Sequence, residues 1–237
     1  MRNKTKTILQ YFILLLAVPA VIALGVIVFK ERRYAFTALV IAILACIPFF
    51  MSFEKDEGNG KLMIIIAVMI TMSTVGRFIF AALPHFKPVT AIVIITAVYF
   101  GPQTGFVTGA LAAVISNFYF GQGPWTPFQM FSWGVIGLIA GLAAPILRGR
   151  KPLNLLFLTL YGAFSGVLYS LLMDTFTTLW ADGSFNFSRY TASVVSAIPV
   201  TITYAVSNVI FLLFFTSPIE SVFDRIKYKY GIGEKKK

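Results

Sequence analysis

Long apolar runs separated by short polar breaks organise this chain. A helix needs about 20 apolar residues, at 1.5 Å each, to cross a hydrocarbon core. Against that length the runs are Ile8–Phe29, Tyr34–Phe53, Leu62–Leu83, Val89–Phe100, Thr104–Phe120, Pro127–Leu147, Leu153–Trp180 and Tyr190–Phe215. They predict an all-α integral membrane protein with about eight transmembrane segments. Val89–Phe100 is too short to cross alone, so it must tilt or be wrapped by its neighbours. Gly101-Pro102 ends it, because Pro cannot extend the hydrogen-bond ladder and Gly permits the turn. The polar stretch Glu54–Lys61 marks a seam. It divides the chain into an N-terminal two-helix hairpin with its linker (1–61), a six-helix unit (62–217) and a basic tail (218–237). One continuous eight-helix bundle is the alternative.

Composition agrees with the pattern. Hydrophobic residues make up 58% of the chain and charged residues 12%, against about 25% charge in a soluble domain. The net charge of +11 does not point to nucleic acid, because the basic residues cluster at helix ends and at the C-terminus, where anionic headgroups and topology account for them. If the N-terminus lies inside, the inner segments hold 14 Lys and Arg and the outer ones 5. That bias predicts both termini in the cytoplasm of a bacterial plasma membrane; Lys30–Arg33 runs against it. Ile8–Phe29 is longer than a secretory h-region and lacks a small-residue cleavage site, so it reads as a retained helix. The single Cys46 lies mid-helix and excludes an intrachain disulfide.

The outer connectors under this topology are Pro84–Pro88, Gly121–Thr126 and Ala181–Arg189. They are poor in Lys and rich in aromatic or turn residues, and together they could roof a binding cavity. Polar residues inside apolar helices are the candidate ligand contacts. Arg77 costs at least about 2.5–3.5 kcal/mol to insert. It therefore contacts a ligand or gate, pairs with Asp174 or with backbone carbonyls, or snorkels outward. Asp174 is the only acid well inside a late helix, and it and Tyr169, five residues earlier, are both candidate ligand contacts. His85, Phe86 and Lys87 sit between two prolines, and a rigid loop loses little ordering entropy on capping a ligand. Asn117, Gln122, Gln129 and Trp133 either line a cavity or tie helices together; Trp125 fits a lid or an interfacial belt. Gly101, Gly105 and Gly109 form a small-residue stripe, for internal packing or for a sliding subunit. His85 has no partners at metal-ligand spacing, and no cofactor is expected. There is no Walker A motif, paired catalytic carboxylate, Ser-His-Asp set or His-Glu-x-x-His, so neither an enzyme nor an ATPase is expected.

Several of these segments carry a resemblance. Gly76-Arg-Phe78, Pro84-His-Phe-Lys-Pro88, Val98-Tyr-Phe-Gly-Pro-Gln-Thr-Gly105, Ser116-Asn-Phe118 and Gly121-Gln-Gly-Pro-Trp-Thr-Pro-Phe-Gln129 resemble the S-components of energy-coupling factor (ECF) vitamin transporters, from Leu62 to about Phe215. The resemblance implies a six-helix bundle that captures a vitamin or its precursor from outside. It implies docking on a module of one transmembrane coupling subunit and two ATPases. Pro84–Pro88 would be the lid, with Gln122, Trp125 and Gln129 near the pocket. The docking face would include Ala67 and Thr71, where the family often carries two alanines. The Gly-Gln-Gly-Pro-Trp form is similar to members associated with cobalamin or related corrinoids; α-ribazole, a queuosine precursor and folate are the alternatives. An intramembrane enzyme using Asp174 and Arg77, or a scaffold for another membrane complex, are the rival readings. The N-terminal hairpin is extra to the six-helix plan.

Overall fold

The computed structural model describes residues 2–29, 34–52, 59–147 and 153–230. The charged connectors 30–33, 53–58 and 148–152 and the end 231–237, which hold much of the topology signal, lie outside the described residues. Helix α1 (Arg2–Phe12) runs through a π-helical stretch (Ile13–Ala17) into α2 (Val18–Phe29), and α3 (Tyr34–Ser52) completes the hairpin. There follow α4 (Asn59–Ile79), α5 (Val89–Phe100), α6 (Pro102–Phe120), α7 (Trp125–Leu142), a short α8 (Ala144–Leu147), α9 (Leu153–Asp182), α10 (Phe187–Ser196) and α11 (Ile198–Tyr230). Thr5–Gly25, Gly60–Ile79, Asn154–Asp182 and Ile198–Ile226 are long and apolar enough to cross a membrane; Phe36–Pro48 and Val89–Phe100 are shorter apolar helices. The protein is a multi-pass helical membrane protein.

Helix α5 explains how a segment of about 18 Å survives in a bilayer. Every residue from Val89 to Tyr99 is buried, and α4, α6, α7, α9 and α11 all pack against it. No face of α5 meets lipid, so it can be apolar all round. Gly101 ends it at φ +96°, a left-handed conformation that a Cβ would resist, and Pro102 starts α6 at a position where its missing N–H costs nothing.

In lipid, close packing rather than the hydrophobic effect holds helices together, and small residues set how near two backbones come. A Cβ on Gly105 would lie 2.6 Å from the carbonyl oxygen of Gly137, and one on Gly109 would lie 2.8 Å from the backbone nitrogen of Gly134. Both glycines are buried between α6 and α7. This corrects the expectation that Gly105 and Gly109 present a docking surface: their faces are used inside the bundle. Gly101 is half-buried at its turn with open space around it. Gly166 brings α9 against the backbone of α11 at Ala205 in the same way.

The hairpin packs through α3 onto α6 and α7. Gln10 Nε2 donates to the Pro48 carbonyl (3.0 Å), and Gln103 Nε2 donates to Gln10 Oε1 (3.1 Å), tying the hairpin to the start of α6.

The last apolar run differs from its expected form. It is expected from Tyr190, but Tyr190 lies in α10, which has no buried residue, and the long helix begins at Ile198. Pro199 cannot donate into a continuing ladder, so the chain restarts there. Helix α11 then runs to Tyr230, past Pro218, so the tail expected from residue 218 begins as helix.

Candidate functional site

The connector 80–88 is folded back over the end of α4 by Lys87. Its Nζ donates to the carbonyls of Phe80 and of Leu83, the latter at 2.8 Å. A cation on these carbonyls also complements the negative end of the helix dipole. The same residue ties the loop to α11: its backbone N–H donates to Ser207 Oγ (3.0 Å), which donates to the Lys87 carbonyl (3.2 Å). Phe86 turns into the protein, with ring centroids 6.1 Å from Phe80 and 5.0 Å from Phe211. His85 remains exposed at φ +61°, a left-handed conformation that non-glycine residues rarely take. Its Nδ1 lies 3.0 Å from the Tyr204 hydroxyl. Partial desolvation of the ring holds the His85 imidazole below its ordinary range, and the Lys87 ammonium adds to this. Lys87 is itself lowered, by burial first and by Arg77 second.

Beneath the loop is a cavity of about 200 Å³. Arg77, His85, Lys87, Gln129, Trp133 and Tyr169, each singled out from the sequence, line it together. Val89, Thr90, Tyr204 and Asn208 also line it and were not anticipated. Tyr204 and Asn208 stand four residues apart, on one face of a helix, and that spacing in an apolar run was the available signal.

A polar frame supports one wall. Arg77 Nη1 donates to Ser116 Oγ and to Asn117 Oδ1 (3.0 Å). Asn117 Nδ2 donates to Thr126 Oγ1 (2.9 Å) and Gln129 Oε1 (2.8 Å). Asn117 is 1% exposed, and its carbonyl and amide are committed to these bonds, so it braces α4, α6 and α7 rather than reaching into the hollow. An aromatic arc forms another wall. Trp133 stacks on Tyr169 (5.1 Å, 20°), Tyr169 meets Tyr204 edge-on (5.0 Å), and Tyr204 meets His85 edge-on (5.3 Å). The Arg77 guanidinium sits 4.8 Å from the Phe120 ring centroid and 5.1 Å from that of Trp133, within cation–π range.

Besides Asn117, four expected ligand contacts lie outside the lining. Gln122 Nε2 is spent on the Val114 carbonyl (2.8 Å). Trp125 covers Gly123 and stays 39% exposed. Phe86 anchors the loop as described. Asp174 is buried and does not line the cavity, although it lies within electrostatic range of Tyr204, which does; its Oδ2 has no hydrogen-bond partner. The expected Arg77–Asp174 pair is absent among the described residues; Ser116 and Asn117 take that place. Of the three connectors expected to roof the hollow, Pro84–Pro88 lines it through His85 and Lys87, and the other two do not. Gly121–Thr126 is drawn in by its own bonds, including Gly123 N–H to Thr126 Oγ1 (3.3 Å). The stretch 181–189 is fixed by the Arg189–Asp182 ion pair (2.6 Å) and by the Asn186 cap on α10.

A second feature is an apolar groove of about 550 Å³ along the outer face of α4, lined by Ala67, Thr71, Val68, Val75 and Phe215 among others. Thr71 Oγ1 donates to the Ala67 carbonyl (2.8 Å), so its hydroxyl is satisfied within the helix.

Comparison with known proteins gives a match to the family described as "ECF-type riboflavin transporter, S component" over residues 58–219, well over half of the chain. UPF0397 proteins are also similar: that of Aliivibrio salmonicida (strain LFI1238) is 29% identical over 98 residues, and that of Vibrio atlanticus (strain LGP32) 26% over 97. Each alignment covers 39% of this chain, and the chain spans about half the length of these relatives, 52% and 53%. No solved structure matches the chain significantly.

Proposed function

This chain belongs to the ECF-type riboflavin transporter S-component family, and from that premise we propose that it is the substrate-capturing membrane subunit of an ATP-driven importer. It binds a small vitamin-type molecule in the hollow beneath the 80–88 loop. The observation that carries the reading is the convergence of Arg77, Gln129, Trp133, Tyr169 and His85, from three helices and a loop, on one cavity. The loop face is outside and both termini are cytoplasmic, in a bacterial plasma membrane, as the 14-to-5 distribution of basic residues supports. A transmembrane coupling subunit and two ATPases supply the energy, and the α4 groove with Ala67 and Thr71 is the docking face. The unit 62–217 does the binding; the hairpin 1–61 braces it.

The size of the hollow bears on the ligand. Drug-sized molecules occupy pockets of about 300–1,000 Å³, and this one holds about 200 Å³. A corrinoid is larger than a drug-sized ligand, so cobalamin gives way to a compact molecule such as a single heteroaromatic ring with its substituents. A calorimetric titration of the detergent-solubilised chain with a vitamin panel tests the reading. Binding without ATP, lost in Trp133→Ala, and uptake only when coupling subunits are present are the expected results. Uptake by the chain alone, or binding unaffected by Trp133→Ala, would overturn it.

A further inference from the structure

The charges around the hollow do not balance. Arg77 and Lys87 line it, and no Asp or Glu does. Lys87 is satisfied by two loop carbonyls. Arg77 is not. Its Nη1 has two neutral acceptors, its Nε is buried without a partner, and Nη2 makes no hydrogen bond to protein. No carboxylate lies in ion-pair range of it among the described residues. A guanidinium inside a membrane bundle calls for an anion or for water, and two-pronged acceptance by a carboxylate or phosphate is the geometry this group is built for.

The other walls limit what can carry that anion. Trp133, Tyr169 and Tyr204 form an aromatic arc on one side of the hollow. At about 200 Å³ the hollow lies below the usual range for drug-sized ligands, which favours a compact ring system. Gln129 accepts from Asn117 through Oε1, and its amide N–H₂ group, within hydrogen-bonding reach of the Tyr169 hydroxyl, is the donor it brings to this wall.

We propose that the ligand of this site is a small planar aromatic or heteroaromatic acid, whose carboxylate or phosphate meets Arg77 while its ring lies against the Trp133–Tyr169–Tyr204 arc. The inference rests on the capture function proposed above and names its substrate class. Low dielectric around the pair makes its attraction larger than in water, so a neutral analogue of the same shape binds more weakly.

The test is calorimetric titration of the full chain in nanodiscs. The probes are single-ring acids, each paired with its neutral mate: nicotinate with nicotinamide, benzoate with benzamide, pyridoxine 5′-phosphate with pyridoxine. Charged hydrogen bonds predict that an acid binds about tenfold to a hundredfold more tightly than its mate. That preference should collapse in Arg77→Gln and persist in part in Arg77→Lys, which keeps the charge and guards against a variant that fails to fold. Equal binding of acid and mate, or a preference that survives Arg77→Gln, overturns the proposal and leaves the capture function standing. Binding of no probe of either kind counts against both.

Discussion

Replacing Asn117 by Ala tests whether the frame behind the cavity is what positions its wall. The substitution removes three hydrogen bonds: the acceptor for Arg77 at 3.0 Å and the donors to Thr126 at 2.9 Å and Gln129 at 2.8 Å. Side-chain hydrogen bonds in membrane bundles average about 0.6 kcal/mol and reach about 1.7. Three of them sum to about 2 kcal/mol, with about 5 as a ceiling. The upper part of that range is favoured here, because one bond serves a guanidinium and because Asn117 is 1% exposed, beyond the reach of replacement water. Unfolding in mixed micelles titrated with SDS, followed by tryptophan fluorescence, gives the free energy directly. Cys46→Ala, at a half-buried position remote from the site, is the control and should change stability by less than about 0.5 kcal/mol. If Asn117→Ala also falls within about 0.5 kcal/mol of the parent, the frame does not hold the three helices and the reasoning fails.

Other consequences can be measured separately. Gly109→Ala places a methyl 2.8 Å from the Gly134 nitrogen, where backbone cannot yield, and should cost about 1–3 kcal/mol; unchanged SDS unfolding would contradict the α6–α7 packing. The folded protein disfavours protonation of His85. Its contribution to stability is therefore full above about pH 6.5 and is lost as pH falls through the lowered folded-state value. His85→Asn, a residue that tolerates the left-handed backbone, should flatten the fall in melting temperature between about pH 7 and pH 5, and an unchanged slope would count against the lowered imidazole. Thr71→Trp fills the α4 groove and should abolish uptake in the presence of coupling subunits while leaving ligand binding intact; transport at the parental rate would move the docking face elsewhere.

The sequence was informative where burial makes polar residues expensive. Arg77, Gln129, Trp133 and Tyr169 stood out because each is an exception in an apolar run, and such exceptions converge on a cavity. Length alone required Val89–Phe100 to tilt or be wrapped by its neighbours, and burial from Val89 to Tyr99 shows the second. What was not legible was direction around a helix axis. Asp174 and Gln122 are as exceptional as Arg77, yet one is buried without lining the hollow and the other bonds to the Val114 carbonyl. Spacing could not say whether Gly105 and Gly109 face a partner or their own bundle, since both uses need small residues at helical repeat. The boundary at Ile198 was blurred for a related reason: α10 carries enough apolar residues to merge with the next run, and only Pro199 betrays the break.

The central claim is that the hollow under the 80–88 loop holds a small molecule. Mass spectrometry of compounds released from the purified chain tests it most directly, comparing the parent with Trp133→Ala. The account predicts one compact molecule, near one per chain, from the parent and its loss from the variant. Equal release from both proteins would contradict it.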